Sequence, residues 1–233
     1  MIVGLITARG GSKGIPNKNI VDVGGKPLLQ HSFETAVACK TLDRIFLSTD
    51  MPTAIELAGQ FPRLEVPFVR PKKLCLDDST QIEVVTHFLD HLKNTEGLRP
   101  DYLVLLQPTC PLRISAEIDS AVQLMKEQGI ESLMGVTEVM HHPADYLYRD
   151  ETSPNKFKWV MRSPEWHQRQ EFPKIYFNTG ALYICSCEYL LREQRFFDEK
   201  SYLFEMSEET IFDVDSSFDL RILRGYLTAT QSI

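Results

Sequence analysis

Between Ala8 and Asn19 the chain reads Ala-Arg-Gly-Gly-Ser-Lys-Gly-Ile-Pro-Asn-Lys-Asn, packing three glycines, a hydroxyl, one arginine and two lysines into twelve residues. Glycine lets backbone N–H groups approach a ligand closely, and Arg9, Lys13 and Lys18 neutralise negative charge beside them. A polyphosphate needs both, so a nucleoside triphosphate is the leading candidate ligand. The loop is not a P-loop, because no register supplies G-x-x-x-x-G-K-[ST]. It is not a dinucleotide fingerprint either, because Arg9 stands where the first glycine would fall. A glycine-rich turn with solvated lysines is the bland alternative. Arg9 directly after an apolar run, and Lys18-Asn19 closing the loop, weigh against it.

A second constellation lies near the other end of the chain. Asp213-Val214-Asp215 sets two carboxylates at i and i+2, which on a strand share one face. Paired hard oxygen donors suit Mg²⁺, which keeps waters and takes one or two carboxylates together with substrate phosphates. Either aspartate could instead cap the helix that follows. Between these sites, Gln107-Pro108-Thr109-Cys110-Pro111-Leu112-Arg113 is a loop stiffened by two prolines, with Gln107 at a strand end where it can meet a ligand. Taken alone it also reads as a structural turn. Val69-Arg70-Pro71 ends another apolar run with an arginine. His141 and His142 are neighbours unsuited to chelating one metal together and read as loop residues. His31, His87 and His91 fall on helical stretches as surface or packing groups.

The elements that must position these residues alternate. Strand-like runs cover residues 2–7, 44–48, 66–69, 102–106 and 132–136, with helical spacing at 28–40, 53–60, 80–93 and 116–128. Ser79 or Thr80 is placed to cap the third helix. Such alternation predicts a mostly parallel sheet covered on both faces, with ligands at the carboxyl ends of its strands. The first loop sits at such an end. Strand signals resume at 181–184 and 202–204, and a last helix spans 217–227.

The stretch 138–176 breaks this pattern, holding four of the 13 prolines, both tryptophans and no long periodic run. It is too aromatic for a flexible linker. Phe157, Trp159 and Trp166 need cover that so small an excursion cannot supply, which predicts an insertion packed against another subunit. Folding back onto its own domain is the alternative. The rest of residues 1–233 is expected to be one domain.

Composition narrows the partners. At 43% hydrophobic and 24% charged the chain is ordinary for a globular protein. A formal net charge of −7 argues against nucleic acid and anionic membranes as partners. Against that background, residues 9–26 hold Arg9, Lys13, Lys18 and Lys26 against Asp22 alone, a local +3 that suits a small anionic substrate. No apolar run approaches the roughly 18 residues of a membrane span. The five scattered cysteines read as reduced packing thiols. With no basic leader before the first apolar run, a cytoplasmic location is expected.

Together, residues 8–19, Leu-Gln-Pro-Thr-Cys-Pro-Leu-Arg (106–113), His-His-Pro (141–143) and Asp-Val-Asp (213–215) resemble the acylneuraminate cytidylyltransferases, in order and over almost the whole chain. The Arg-Gly-Gly-Ser-Lys-Gly-Ile-Pro form also resembles the branch acting on legionaminic and pseudaminic acid. The resemblance implies a three-layer α/β/α nucleotidyltransferase fold with a mostly parallel sheet, and an inserted segment exchanged within a homodimer. It implies CTP and a nine-carbon 2-keto-3-deoxy sugar acid as substrates, with Mg²⁺ or Mn²⁺ as cofactor. Carried over residue by residue, it makes Arg9, Ser12, Lys13 and Lys18 the triphosphate ligands, with Ala8 and Asn19 beside the nucleotide. Arg70 and Thr80 fall where the family reads cytosine. Gln107 faces the sugar, Arg169 meets its carboxylate, and Asp213 and Asp215 hold the metal. One departure concerns the sugar: many sialic acid enzymes carry an arginine and an asparagine where this chain has Phe177 and Thr179.

The implied reaction is in-line attack of the sugar's anomeric hydroxyl on the α-phosphorus of CTP, with pyrophosphate leaving. Arg9 and Lys18 join Asp213 and Asp215 as the residues expected to carry it. Positioning and charge neutralisation dominate such chemistry. Three alternatives stand beside it: another sugar acid such as 3-deoxy-manno-octulosonate, a non-catalytic nucleotide-binding regulator, and a Rossmann oxidoreductase, for which the fingerprint is missing.

Overall fold

A computed structural model describes residues 1–153, 155–166 and 168–230. Strand β1 (Ile2–Ala8) opens the chain, and a two-stranded ribbon, β2 (Asp22–Val23) with β3 (Lys26–Pro27), leads into α1 (Leu28–Ala38). Then follow β4 (Arg44–Thr49), α2 (Pro52–Ala58), β5 (Leu64–Glu65), α3 (Gln81–Glu96), β6 (Tyr102–Leu106), α4 (Ser115–Gln128) and β7 (Ser132–Glu138). A hairpin of β8 (Leu147–Arg149) and β9 (Phe157–Trp159) precedes β10 (Tyr176–Ser186), α5 (Cys187–Glu193), β11 (Tyr202–Glu205) and α6 (Ser217–Thr230).

The main sheet has seven strands in the order β11-β7-β10-β6-β1-β4-β5, and only β10 runs antiparallel to its neighbours. The expected mostly parallel, three-layer arrangement is therefore present. Apolar alternation along each strand feeds both faces. Ile2, Ile6, Val104 and Leu106 join Leu29, Phe33, Ile118 and Val122 on one side. Val3, Leu5, Leu103 and Leu105 join Val85, Phe88 and Leu92 on the other. A third cluster holds Ile15, Val23 and Leu28 against Val214, Leu220 and Leu223. That cluster matters for function, because it fastens the first loop to the segment carrying the aspartate pair.

Several expectations need correction. The run 66–69 is not a strand: β5 stops at Glu65, and Val69 makes only an isolated bridge to Thr49. Pro67, which has no N–H to donate, interrupts it. Asp213-Val214-Asp215 belongs to no strand and lies between a 3-10 turn at Glu208–Ile211 and α6. Cys187 already belongs to α5 and packs in the same core cluster as Cys185. All five cysteines are free thiols and four are buried.

The stretch 138–176 is an excursion between adjacent antiparallel strands, its two ends paired as Glu138↔Tyr176. All six residues of β8 and β9 are exposed.

Candidate functional site

The carboxyl ends of β1, β4 and β6 adjoin at the centre of the sheet, and the loops leaving them surround a cavity of about 320 Å³. Arg9, Ser12, Lys13, Lys18, Asn19, Arg70, Gln107 and Asp215 all line it, although they come from four separate stretches of sequence.

The first loop is held from several sides. Gly10 donates its backbone N–H to Asp50 Oδ1 (2.8 Å) at the end of β4. The buried side chain of Asn19 donates to the carbonyl of Arg9 (2.9 Å), closing the loop on its own start. Gly11 takes a φ of +71°, in the left-handed region that favours glycine. Gly14 is required for another reason: a Cβ there would lie 2.5 Å from the backbone oxygen of Asp215. Only a residue without a side chain lets the loop come so close to the aspartate segment.

Lys18 bridges the same gap. Its ammonium donates to the carbonyl of Val214 at 2.9 Å and to Asp215 Oδ1 at 3.0 Å, and its side chain is only 14% exposed. Val214 N–H in turn donates to the carbonyl of Thr109 at 2.8 Å. Residues 14–18, 107–109 and 213–215 thus form one wall, built from three loops.

Arg9 donates to the carbonyl of Cys75 (3.2 Å) and to Asp77 Oδ1 (2.8 Å), and Lys13 reaches Asp77 Oδ2 at 2.7 Å. Those two cations pull the Asp77 carboxyl below its ordinary range, Lys13 contributing most. Arg70 is buried, with its guanidinium on the hydroxyl (3.0 Å) and the carbonyl of Ser48, and burial pushes its pKa down. Lys26, which sequence placed in the cationic pocket, pairs with Glu34 and does not line the cavity.

Asp213 and Asp215 differ. Asp215 is exposed toward the cavity, whereas Asp213 is half-buried and lines a neighbouring cavity of about 520 Å³ with Phe212, Ile222 and Tyr226. Burial pushes the Asp213 carboxyl up; a hydrogen bond from Thr109 opposes this and the charge of Asp215 adds to it. A half-buried carboxylate beside a second one is relieved by a divalent cation, so the pair fits Mg²⁺ or Mn²⁺. Among the described residues no group of three His, Cys, Asp or Glu forms a closed metal cage. Water and phosphate oxygens would complete the shell, as Mg²⁺ usually prefers.

Not every expected residue reaches the cavity. Thr80 caps α3: its hydroxyl accepts from Glu83 N–H (3.3 Å) while Glu83 accepts from Thr80 N–H (2.7 Å). Its neighbours Ser79 and Gln81 line the cavity instead. Ala8 is buried in the core. Thr179 is buried, donating to the carbonyl of Gly135 at 3.2 Å, and Phe177 is exposed on β10; neither lines the cavity. Arg169 sits in the 138–176 excursion, paired with Asp145 at 3.1 Å, and lines a separate cavity with His141 and His142.

Other residues went unnoticed in the sequence. Asp50 and Asp77 meet their partners 40 and 68 positions away, so only the topology brings them together. Arg113 is fully buried and donates to the carbonyls of Gln107 (2.6 Å) and Ala181 (3.3 Å) and to Ser32 Oγ (2.5 Å). It pins the 107–113 loop between β6 and β10. Its place at the end of Gln-Pro-Thr-Cys-Pro-Leu-Arg was the available signal.

Comparison with known proteins agrees with this geometry. The family model described as cytidylyltransferase matches residues 3–222. The N-acylneuraminate cytidylyltransferase of Streptococcus agalactiae is 30% identical over 96% of this chain, which spans only 52% of that relative's length. The pseudaminic acid cytidylyltransferase of Campylobacter jejuni is 29% identical, with 94% of this chain and 93% of the relative covered. The CMP-N,N'-diacetyllegionaminic acid synthase of Legionella pneumophila is 30% identical, with 99% and 97% covered. In fold, the chain superposes on a CMP:2-keto-3-deoxy-manno-octonic acid synthetase complexed with CTP at a TM-score of 0.71, with 16% identity and 100% and 99% coverage. The sheet, the loop at its centre and these matches agree, and the chain belongs to the cytidylyltransferase family.

Proposed function

We propose that this chain transfers CMP from CTP to a nonulosonic sugar acid, releasing pyrophosphate, with Mg²⁺ or Mn²⁺ as cofactor. The observation that carries the reading is the contact of Lys18 with Asp215 at 3.0 Å inside a cavity also lined by Arg9, Lys13 and Gln107. A polyphosphate site and a carboxylate site, distant in sequence, are parts of one wall.

Arg9, Lys13 and Lys18 bind the triphosphate and stabilise the charge that gathers on departing pyrophosphate. Arg70, buried behind the cavity, serves the base end. Gln107, at the tip of β6, orients the sugar's reacting end, and Arg113 holds the Gln107 carbonyl in place. No histidine lines the cavity among the described residues, so catalysis rests on alignment and electrostatics. Asp213 and Asp215 would hold the divalent ion, which supplies charge neutralisation at the α-phosphate and a lower pKa for the attacking hydroxyl.

Two relatives matched over nearly their full length are named for pseudaminic and diacetyllegionaminic acid, which favours a nonulosonic acid over octulosonate. Phe177 and Thr179, in place of the arginine and asparagine of many sialic acid enzymes, favour the same branch. The exposed hairpin, with Phe157 at 55% and Trp159 at 39% exposure, supports a homodimer in which each insertion crosses to the other subunit. Such a crossing would bring Arg169 toward a sugar carboxylate. Reduced thiols and CTP as substrate support a cytoplasmic location, and no helix among the described residues is long and apolar enough to cross a membrane.

The test is product mass after incubation with CTP, Mg²⁺ and a panel of sugar acids. The expected product is a CMP-nonulosonate, lost on chelation and restored by Mg²⁺ or Mn²⁺. Turnover with octulosonate alone would overturn the sugar assignment, and CTP binding without turnover would point to a regulatory nucleotide-binding role.

A further inference from the structure

Two of the cations facing the cavity share one internal anion. Asp77 places Oδ1 on Arg9 at 2.8 Å and Oδ2 on Lys13 at 2.7 Å, bridging them much as a phosphate would. The segment that carries it is tied down at both ends. Leu74 N–H donates to the carbonyl of Pro71 (2.8 Å), Ser79 Oγ donates to the carbonyl of Lys73 (3.0 Å), and the Thr80–Glu83 box fixes its junction with α3. Asp77 itself has room to move, its side chain being 45% exposed. Its carboxylate is thus held close to Arg9 and Lys13 by a folded loop, at the high effective concentration of an intramolecular ligand.

We infer that Asp77 is an exchange partner for Arg9 and Lys13, competing with the phosphates of the entering nucleotide and displacing pyrophosphate after transfer. The inference rests on reading the cavity as a triphosphate site. Phosphate oxygens on those two cations lie against the Asp77 carboxylate, and like charges so close repel. Asp77 therefore turns outward when phosphates bind, and its return supplies a replacement anion as they depart. The contribution is modest because exposed ion pairs are individually weak. Modest is enough, because its task is to keep a highly charged product from lingering.

The test is calorimetric titration of the full chain with inorganic pyrophosphate and, separately, CTP, for wild type, Asp77→Asn and Asp77→Glu. Asp77→Asn should bind pyrophosphate about three- to tenfold more tightly, the scale of two exposed ion pairs. It should also show correspondingly stronger pyrophosphate inhibition during turnover. Asp77→Glu, which keeps the charge, should stay near wild type. Unchanged or weaker pyrophosphate binding by Asp77→Asn overturns the exchange role and leaves Asp77 as a brace for its loop. Wild type and Asp77→Asn that bind neither CTP nor pyrophosphate contradict the triphosphate reading and the exchange role together. Tight CTP binding with no gain in Asp77→Asn overturns the exchange role alone.

Discussion

The cavity wall and the inserted hairpin are both built from loops, yet they differ in how they are completed. The wall is closed by its own chain: Gly10 on Asp50, Lys18 on Val214 and Asp215, Val214 on Thr109, and the Ile15–Val214–Leu223 cluster behind them. The hairpin's polar ties are local, such as Thr152 on Asp150 and Asp145 with Arg169. Its aromatic rings meet one another, Phe157 against Trp159 and Trp166 against Phe172, and not a core. A region whose polar groups meet across the fold is ready to act alone. One whose apolar groups stay exposed is shaped for a partner.

Substitutions should divide along that line. The largest effect is expected from Lys18→Ala, which removes a cation joining the loop to Asp215. Turnover in a pyrophosphate-release assay should fall by roughly 10²–10³, the cost of losing one key electrostatic group. The variant's mass by light scattering should match that of the wild type.

Next comes a contrast within the loop. Gly14→Ala drives a Cβ into the Asp215 carbonyl and should cut kcat/KM by about ten- to a hundredfold, on the scale of a small misplacement of reacting groups. Gly11→Ala has no atom within 4 Å of the added Cβ. It should show mainly the roughly 1–2 kcal/mol strain of a left-handed backbone, read as a lower unfolding midpoint.

On the hairpin side, Phe157→Ser combined with Trp159→Ser should convert the proposed dimer to monomer in sedimentation velocity at micromolar concentration. The monomer's own unfolding should move by no more than about 0.5 kcal/mol, as for other exposed positions. A variant that stays dimeric would place the subunit contact elsewhere.

The smallest effect concerns the cap that anchors the cavity's side. Hydrogen bonds from Thr80 hold the Glu83 carboxyl below its ordinary range. A carboxylate with a lowered folded-state pKa contributes stability above its unfolded pKa and loses it as pH falls through the folded value. Unfolding midpoints of wild type and Glu83→Gln should therefore differ at neutral pH and converge toward pH 3.

The contrast also bounds what the sequence disclosed. Periodicity read helices at 28–40 and 80–93, close to the observed 28–38 and 81–96, and found the central strands, because their apolar faces are continuous. It missed α5, which is seven residues long and follows β10 with no intervening loop. It put a strand at 66–69, where Pro67 forbids a ladder bond. The glycine-rich loop stood out because glycine and cation are both unusual so densely placed. Asp50, Asp77 and Arg113 were not, because their meaning depends on partners supplied by other strands. Asp213 and Asp215 were found as a pair, but by an argument from strand geometry that the structure does not bear out. The backbone there is anchored by Val214, and the two carboxylates face different cavities. Arg169 carries no local signal for where it acts, and within one chain it lies outside the cavity.

The central claim is that the glycine-rich loop and the aspartate segment act as one clamp on a metal–triphosphate. A double-mutant cycle between Arg9→Ala and Asp215→Asn tests it most directly, because these two side chains do not touch and would be coupled only through what lies between them. The clamp predicts a coupling of about 0.5–3 kcal/mol in kcat/KM, with the double variant losing less than the product of the single losses. Losses that simply multiply would show two independent sites and contradict the account.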